Sequence, residues 1–286
     1  MYRPRGKVSG RRPEANRVVM NLAVMEHQKL QGRLRKKILE LHYKANSGHI
    51  GCSLSCIDIM ISILKFKEPG DTFILSKGHA ATALYTILNE IGEIPDEVMS
   101  TFYQNATTLP AHPAPLKYAA IPFATGSLGH GLPLAAGIAK AGKLRSSTSI
   151  SFVLMSDGET NEGTSWEAGH FAVANRLDNL LVFIDKNGLQ GFGNTKDILG
   201  DTAAADLWRA IGFDVLEVDG HSISAMLMAK EQLLSNKNGK PKMIIADTVK
   251  GKGINYMENK MEWHYLPMNE TQYADAMKKI ENDYNL

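Results

Sequence analysis

A chain of 286 residues can bury a large core, and 44% apolar with 22% charged residues is the balance of a folded globular protein, not of a disordered or fibrous one. The 32 basic and 30 acidic residues give a formal net charge of +2, and the body of the chain carries no basic stripe with interleaved aromatics, so no nucleic-acid partner is expected. No apolar run approaches the roughly 20 residues a membrane helix needs, which excludes a transmembrane span from the expectations.

Residues 1–26 read as a basic extension, and in its first stretch Arg3, Arg5, Lys7, Arg11, Arg12 and Arg17 stand against one acid, Glu14. Organelle transit peptides share that bias, but this stretch lacks their serine enrichment and amphipathic pattern. A basic tail on a cytoplasmic protein is the expectation. Residues 27–286 show no repeat, low-complexity tract or linker and read as one domain.

Leu30, Leu34, Ile38 and Leu41 recur every three or four residues, which predicts an amphipathic helix over about Leu30–Ala45. Ser55, followed three residues later by Asp58, predicts the N-cap of a second helix through Ile57–Leu64. Cys52 and Cys56 are the only cysteines. With no second pair to complete a zinc site, they read as reduced structural thiols.

Strand-like runs follow at Thr72–Leu75, Ile150–Met155, Leu180–Asp185, Phe213–Val218 and Met243–Thr248. Helical patterns alternate with them at Ala80–Ile91, Gly131–Leu144, Thr164–Arg176, Ala203–Ile211 and Ile223–Leu234, with a last one near Glu270–Glu281. The alternation predicts an α/β fold: a doubly wound, mainly parallel sheet with helices on both faces, and function in the loops after the strands.

The richest loop is Ser156-Asp157-Gly158-Glu159-Thr160-Asn161-Glu162-Gly163, directly after a strand. Asn187 comes one βαβ unit later, a spacing of about 30 residues that can bring both side chains to the same sheet edge. A carboxylate and an amide oxygen suit Mg2+, which prefers oxygen ligands and takes others from phosphate and water. Gly158 lets backbone approach a phosphate without a Cβ in the way. Taken singly, Asp157 reads equally as a turn cap and Asn187-Gly188 as an ordinary turn; their joint spacing favours a metal diphosphate. No Gly-x-Gly-x-x-Gly opens a helix and no Walker loop is present, which disfavours dinucleotide and P-loop enzymes.

Asp157-Gly158, Glu162-Gly163, Trp166-Glu167-Ala168 and Asn187 together resemble the thiamine diphosphate motif of transketolases, with Ser156 where glycine is usual. Further matches are Ser47-Gly48-His49-Ile50-Gly51, where Ile50 replaces proline, and Ser76-Lys77-Gly78-His79-Ala80. Ala111-His112-Pro113, Gly126-Ser127-Leu128-Gly129-His130-Gly131 with His130 in place of glutamine, Thr248 to Gly253, and Trp263-His264 complete the set.

The resemblance implies ketol transfer: a two-carbon unit passes from a ketose (phosphate) to an aldose (phosphate) through a carbanion on thiamine diphosphate. It implies that Asp157, Asn187 and the Leu189 carbonyl hold Mg2+ (or Ca2+ or Mn2+). His79, Gly126, Leu128, Asp157, Gly158, Glu159, Asn187, Lys250 and His264 are then cofactor contacts. His49, His112 and His264 would meet the sugar and move protons, as imidazole suits near neutral pH. Glu162 would join an acidic relay between paired sites. His27, His42, His170 and His221 receive no catalytic role.

In the family a second, pyrimidine-binding domain supplies the activating glutamate and arginines for the substrate phosphate. Only about one helix follows His264. The expectation is therefore a partner C-terminal subunit in an α2β2 heterotetramer. A 2-oxo acid dehydrogenase or deoxyxylulose-phosphate synthase-like subunit shares Asp157-Gly158 and Asn187 but matches the other loops less well. A non-catalytic regulatory half is the remaining alternative.

Overall fold

In a computed structural model of the chain, the backbone is described from residue 12 and side chains from residue 24, both to residue 286. Arg3, Arg5, Lys7 and Arg11 of the basic extension lie outside the described residues.

Helix α1 (Arg12–Lys44) starts well before the expected Leu30. Its added turns hold Ala, Met, Glu and Arg twice each, all good helix formers. Helix α2 (Ile50–Leu64) also starts earlier than predicted, since the chain turns into it at His49 and not at Ser55. All fifteen α2 residues are buried, so the helix is apolar on every side and has no amphipathic edge to mark its beginning. Ser55 is no cap; its hydroxyl donates to Asp185 Oδ2 at 2.6 Å. Nor does Asp58 build a capping box: it takes a two-pronged ion pair from Arg35 of α1, at 2.8 and 2.5 Å, with both side chains fully buried.

The remaining elements are β1 (Thr72–Leu75), α3 (Ala81–Glu90), α4 (Asp96–Met99), α5 (Gly131–Leu144), β2 (Ser151–Ser156), α6 (Gly163–Ala174) and β3 (Leu180–Lys186). After them come the short hairpin of β4 (Leu189–Gln190) and β5 (Gly193–Asn194), then α7 (Thr195–Leu199), α8 (Ala205–Ile211), β6 (Asp214–Asp219), α9 (Ile223–Ser235), β7 (Lys242–Asp247) and α10 (Glu270–Tyr284). The five long strands match the expected runs to within a residue at each end.

Those five strands form one parallel sheet in the order β1-β2-β3-β7-β6. Successive side chains alternate between two cores, as the period of a strand requires. Phe152, Leu154, Leu181 and Phe183 face α1, α2, α3, α9 and α10, whereas Val153, Met155, Val182 and Ile184 face α5, α6 and α8. Burial on both faces explains why these strands read as unbroken apolar runs. The fold is the expected doubly wound α/β sheet. No helix among the described residues is long and apolar enough to cross a membrane.

Candidate active site

Parallel register brings the ends of β2 and β3 level, Ser156 opposite Asp185, so the residues that follow, Asp157 and Asn187, emerge at one edge. The Asp157 carboxylate accepts the backbone N–H groups of Gly158 (2.8 Å) and Gly188 (2.7 Å) and the Thr195 hydroxyl (3.2 Å). Asn187 donates its amide N–H to Asp185 at 3.3 Å, which fixes which end of the amide points where. Its Oδ1 accepts the Leu189 N–H at 3.1 Å, and the Leu189 carbonyl accepts the Lys250 ammonium at 3.2 Å. A Cβ at Gly158 would collide with the Gln190 side chain, so the β4–β5 hairpin packs on the Asp157-Gly158 turn only because that position is glycine.

Asp185 anchors this edge. It is fully buried and pairs with the equally buried Lys77, while Ser55 and Thr248 donate their hydroxyls to it. Burial works against its charge, but Lys77 and these donors hold the carboxyl below the usual carboxylate range. Asp157 has the opposite balance. Burial, then the neighbouring Asp185, push it up to about 6, and among the described residues it forms no ion pair, because Lys77 is committed to Asp185.

Glu159 does not face the cavity beside Asp157. Its carboxylate points inward and accepts from the Ser76 hydroxyl, the Gly129 N–H (2.8 Å) and the Ser156 N–H (3.4 Å), tying three loops together. Burial pushes it up to about 7 from an ordinary 4.5. A raised folded-state value means that the folded chain holds a proton the unfolded chain has already lost, so stability falls as pH rises across that window. The urea midpoint of the chain, stripped of divalent metal, is expected to drop between pH 5 and pH 8. Glu159→Gln should flatten that slope, and an unchanged slope would show that Glu159 carries no such penalty.

A cavity of about 250 Å³ is bounded by Leu128, Asp157, Gly158, Asn187, Leu189, Lys250 and, unexpectedly, Cys52. Against it lies a second cavity of about 190 Å³, lined by His49 and His112 among others, and His79, His264 and Tyr265 border both. The His49 ring centroid is 5.5, 6.2 and 5.1 Å from those of His79, His112 and His264. Burial pushes His79 down to about 4, and burial followed by repulsion from His49 lowers His112. These two rings are therefore neutral near pH 7. Lys250 donates to His264 Nδ1 at 2.8 Å, so the ring proton of neutral His264 sits on Nε2. Gly126, with φ +145°, lies where a Cβ would come within 2.8 Å of His112 Cδ2.

Glu162 stands apart from this group. It is exposed at the N-terminus of α6, where its charge favours the helix dipole. His130 is also exposed, its Nδ1 3.0 Å from the Leu128 carbonyl. His42 is buried between the Ser47 and Ser53 hydroxyls, which fits a structural role. His221 is more than filler. It accepts the Val249 N–H on Nε2 at 2.9 Å, so Nδ1 carries the proton donated to Asp58 at 2.8 Å. The buried Arg35–Asp58 pair thereby pins the backbone one residue before Lys250.

Residues 27–285 match the family described as transketolase, thiamine diphosphate binding domain. The chain belongs to the transketolase family. It is 37% identical over 276 residues to an apulose-4-phosphate transketolase subunit from Actinobacillus succinogenes, covering 92% of this chain and 99% of that one. It is 35% identical to the 6-deoxy-6-sulfo-D-fructose transketolase subunit SqwG of a Clostridium species, covering 87% and 94%. A transketolase variant from Pichia stipitis in complex with fructose-6-phosphate superposes with a TM-score of 0.83 at 26% identity. That match covers 91% of this chain but only 41% of the Pichia chain, so the present sequence spans about two fifths of such transketolases.

Sequence reasoning gave no part to Lys77, Asp185, Cys52, Gln190 or Tyr265 of this transketolase-family site. Asp185 had a signal available, as an acid at the end of an otherwise apolar run. Tyr265, whose hydroxyl donates to the Gly191 carbonyl, had only its place after His264.

Proposed function

We propose that this chain is the cofactor-binding subunit of a two-chain ketol transferase, with Mg2+ and thiamine diphosphate bound at the edge of β2 and β3. The observation that carries the reading is the shared wall of the two cavities: an oxygen-lined cage and a histidine-lined chamber meet at His79 and His264. The cage suits Mg2+ because its oxygens come from a carboxylate, an amide and a carbonyl. Asp157 also has a buried carboxylate without a cation, and the Leu189 carbonyl is already turned to an ammonium.

When bound, thiamine diphosphate would supply the electron sink for breaking a C–C bond next to a carbonyl. Asp157, Asn187 and Leu189 would hold the metal, and Gly158 leaves its N–H open to close approach. His264 would offer its Nε2–H to a phosphate or sugar oxygen. His49 and His112 would hold hydroxyls and move protons in the chamber, and Leu128 would pack against the cofactor from the cage side. Exposed Glu162 is free to meet another subunit.

The names of relatives matched along nearly their whole length support a separate partner, since the apulose-4-phosphate and sulfofructose transketolases are named as subunits. A C-terminal, pyrimidine-binding subunit would complete each site in an α2β2 assembly. Sugar phosphates or sugar sulfonates are the expected substrates, with the apulose-4-phosphate and sulfofructose specificities of the relatives as the leading candidates.

The test is a ketose panel assayed with the chain alone, with its co-expressed partner, and with the partner alone. Turnover is expected only from the pair, with each single chain below about 1% of it. Efficient transfer by the isolated chain would overturn the two-chain reading, and an inactive pair that also fails to bind thiamine diphosphate would overturn the enzymatic one.

A further inference from the structure

Cys52 lies in the first turn of a buried helix, yet its sulfur borders the cage and not the hydrophobic core. Its Sγ is 3.7 Å from His264 Nδ1, and ligand atoms of His49, Cys52 and His264 all lie within 4.8 Å of one another. Among the described residues this is the one group of three or more His, Cys, Asp or Glu side chains that meets so closely. We propose that His49, Cys52 and His264 form a second metal site, distinct from the oxygen cage, that takes Zn2+ or a similarly thiophilic dication.

Four observations carry the proposal. The donor set is a thiol and two imidazoles, the combination that selects zinc over magnesium, and three protein ligands leave one position open. The spacing is close to what is needed: Zn–S and Zn–N bonds at a tetrahedral angle place sulfur and nitrogen about 3.5 Å apart. The scaffold is already assembled, because the His49 N–H donates to the His264 carbonyl at 3.2 Å and so clips the two histidines together across 215 positions of sequence. Finally, His49 Nδ1 is buried without a hydrogen-bond partner, a ring nitrogen with an unused role.

The charge distribution agrees. Burial opposes ionisation of Cys52, but the Lys250 ammonium and then His79 hold the thiol well below its ordinary value. A cation therefore already attends these lone pairs. The incoming dication would replace Lys250 on His264 Nδ1, and Lys250 retains the Leu189 carbonyl. Metal binding needs only the three side chains. Its consequence, inhibition by occupying two rings of the sugar chamber, rests on the transfer reaction proposed above.

Titration of the full chain with Co2+ alone tests the site, since thiolate ligation produces a near-ultraviolet charge-transfer band that oxygen ligation does not. One equivalent is expected to give the band, and Zn2+ to abolish it by displacement. Cys56→Ser and Asp157→Asn should leave the band intact, the second separating this site from the oxygen cage. Cys52→Ser should remove the band and weaken Zn2+ binding at least tenfold while circular dichroism stays unchanged. His49→Ala should weaken binding without removing the thiolate signal. Absence of a band at several equivalents of Co2+, or a band that survives Cys52→Ser, overturns the proposal. Because the readout is neither turnover nor thiamine diphosphate binding, it fails or succeeds independently of the enzymatic reading.

Discussion

Replacing Asp157 with asparagine is expected to weaken Mg2+-dependent thiamine diphosphate binding by at least about 100-fold, beyond what loss of an outer-shell partner usually does. The substitution keeps the size of the side chain and one oxygen, which can still accept the Gly188 N–H and the Thr195 hydroxyl, while the Gly158 N–H, bonded to the other carboxylate oxygen, loses its acceptor. What disappears is the one carboxylate among the proposed ligands. Calorimetry on the assembled pair, with and without Mg2+, measures the effect. Affinity within threefold of the parent would mean that the metal is held elsewhere. Asn187→Ala should act in the same direction but less strongly, since it removes a neutral oxygen and leaves the charge in place.

Lys77→Met is expected to destabilise the fold by about 3–5 kcal/mol, the usual result of leaving one member of a buried ion pair without its partner. Lys77 and Asp185 are both fully buried, and Asp185 keeps only hydroxyl and amide donors once the ammonium is gone. The informative control is Lys77→Met with Asp185→Leu, which removes both charges. Most of the lost stability should return in the double variant, because an apolar pair of similar volume often serves a core as well as an ion pair does. Cofactor affinity should not return with it. Asn187 would no longer have the Asp185 carboxylate to hold its amide nitrogen, and the orientation of its oxygen would be lost. Denaturant midpoints and calorimetry on the same variants separate these outcomes. A double variant as unstable as the single one would show that packing, not charge, dominates at Lys77.

The sheet was readable because its strands are buried on both faces, so their apolar runs stood out against polar loops, and the parallel βαβ rhythm placed Asp157 and Asn187 correctly. The beginning of α2 was hidden for the same physical reason in reverse: burial on every side erases the periodicity that marks a helix end. Candidate-site residues were legible where a glycine or histidine broke a loop pattern, as at His49, His79, His112 and His264, which come to line one cavity. Lys77 and Asp185 were not, since a residue's meaning as half of an ion pair depends on a partner 108 positions away. Glu159 shows the limit of motif reading. Its place beside Asp157-Gly158 suggested a cofactor contact, whereas the backbone turns its carboxylate inward to Ser76 and Gly129. Cys52 was read as a structural thiol because spacing alone cannot report that a distant histidine comes to lie against it.

His49 begins α2 with φ +66°, a left-handed conformation that a side chain occupies at a cost of about 1–2 kcal/mol and glycine at almost none. The chain thus keeps an imidazole at a position where its own backbone favours glycine. Evolution in the laboratory would expose that tension directly: a library sorted for heat resistance alone drives position 49 toward glycine, and one sorted for turnover holds it at histidine.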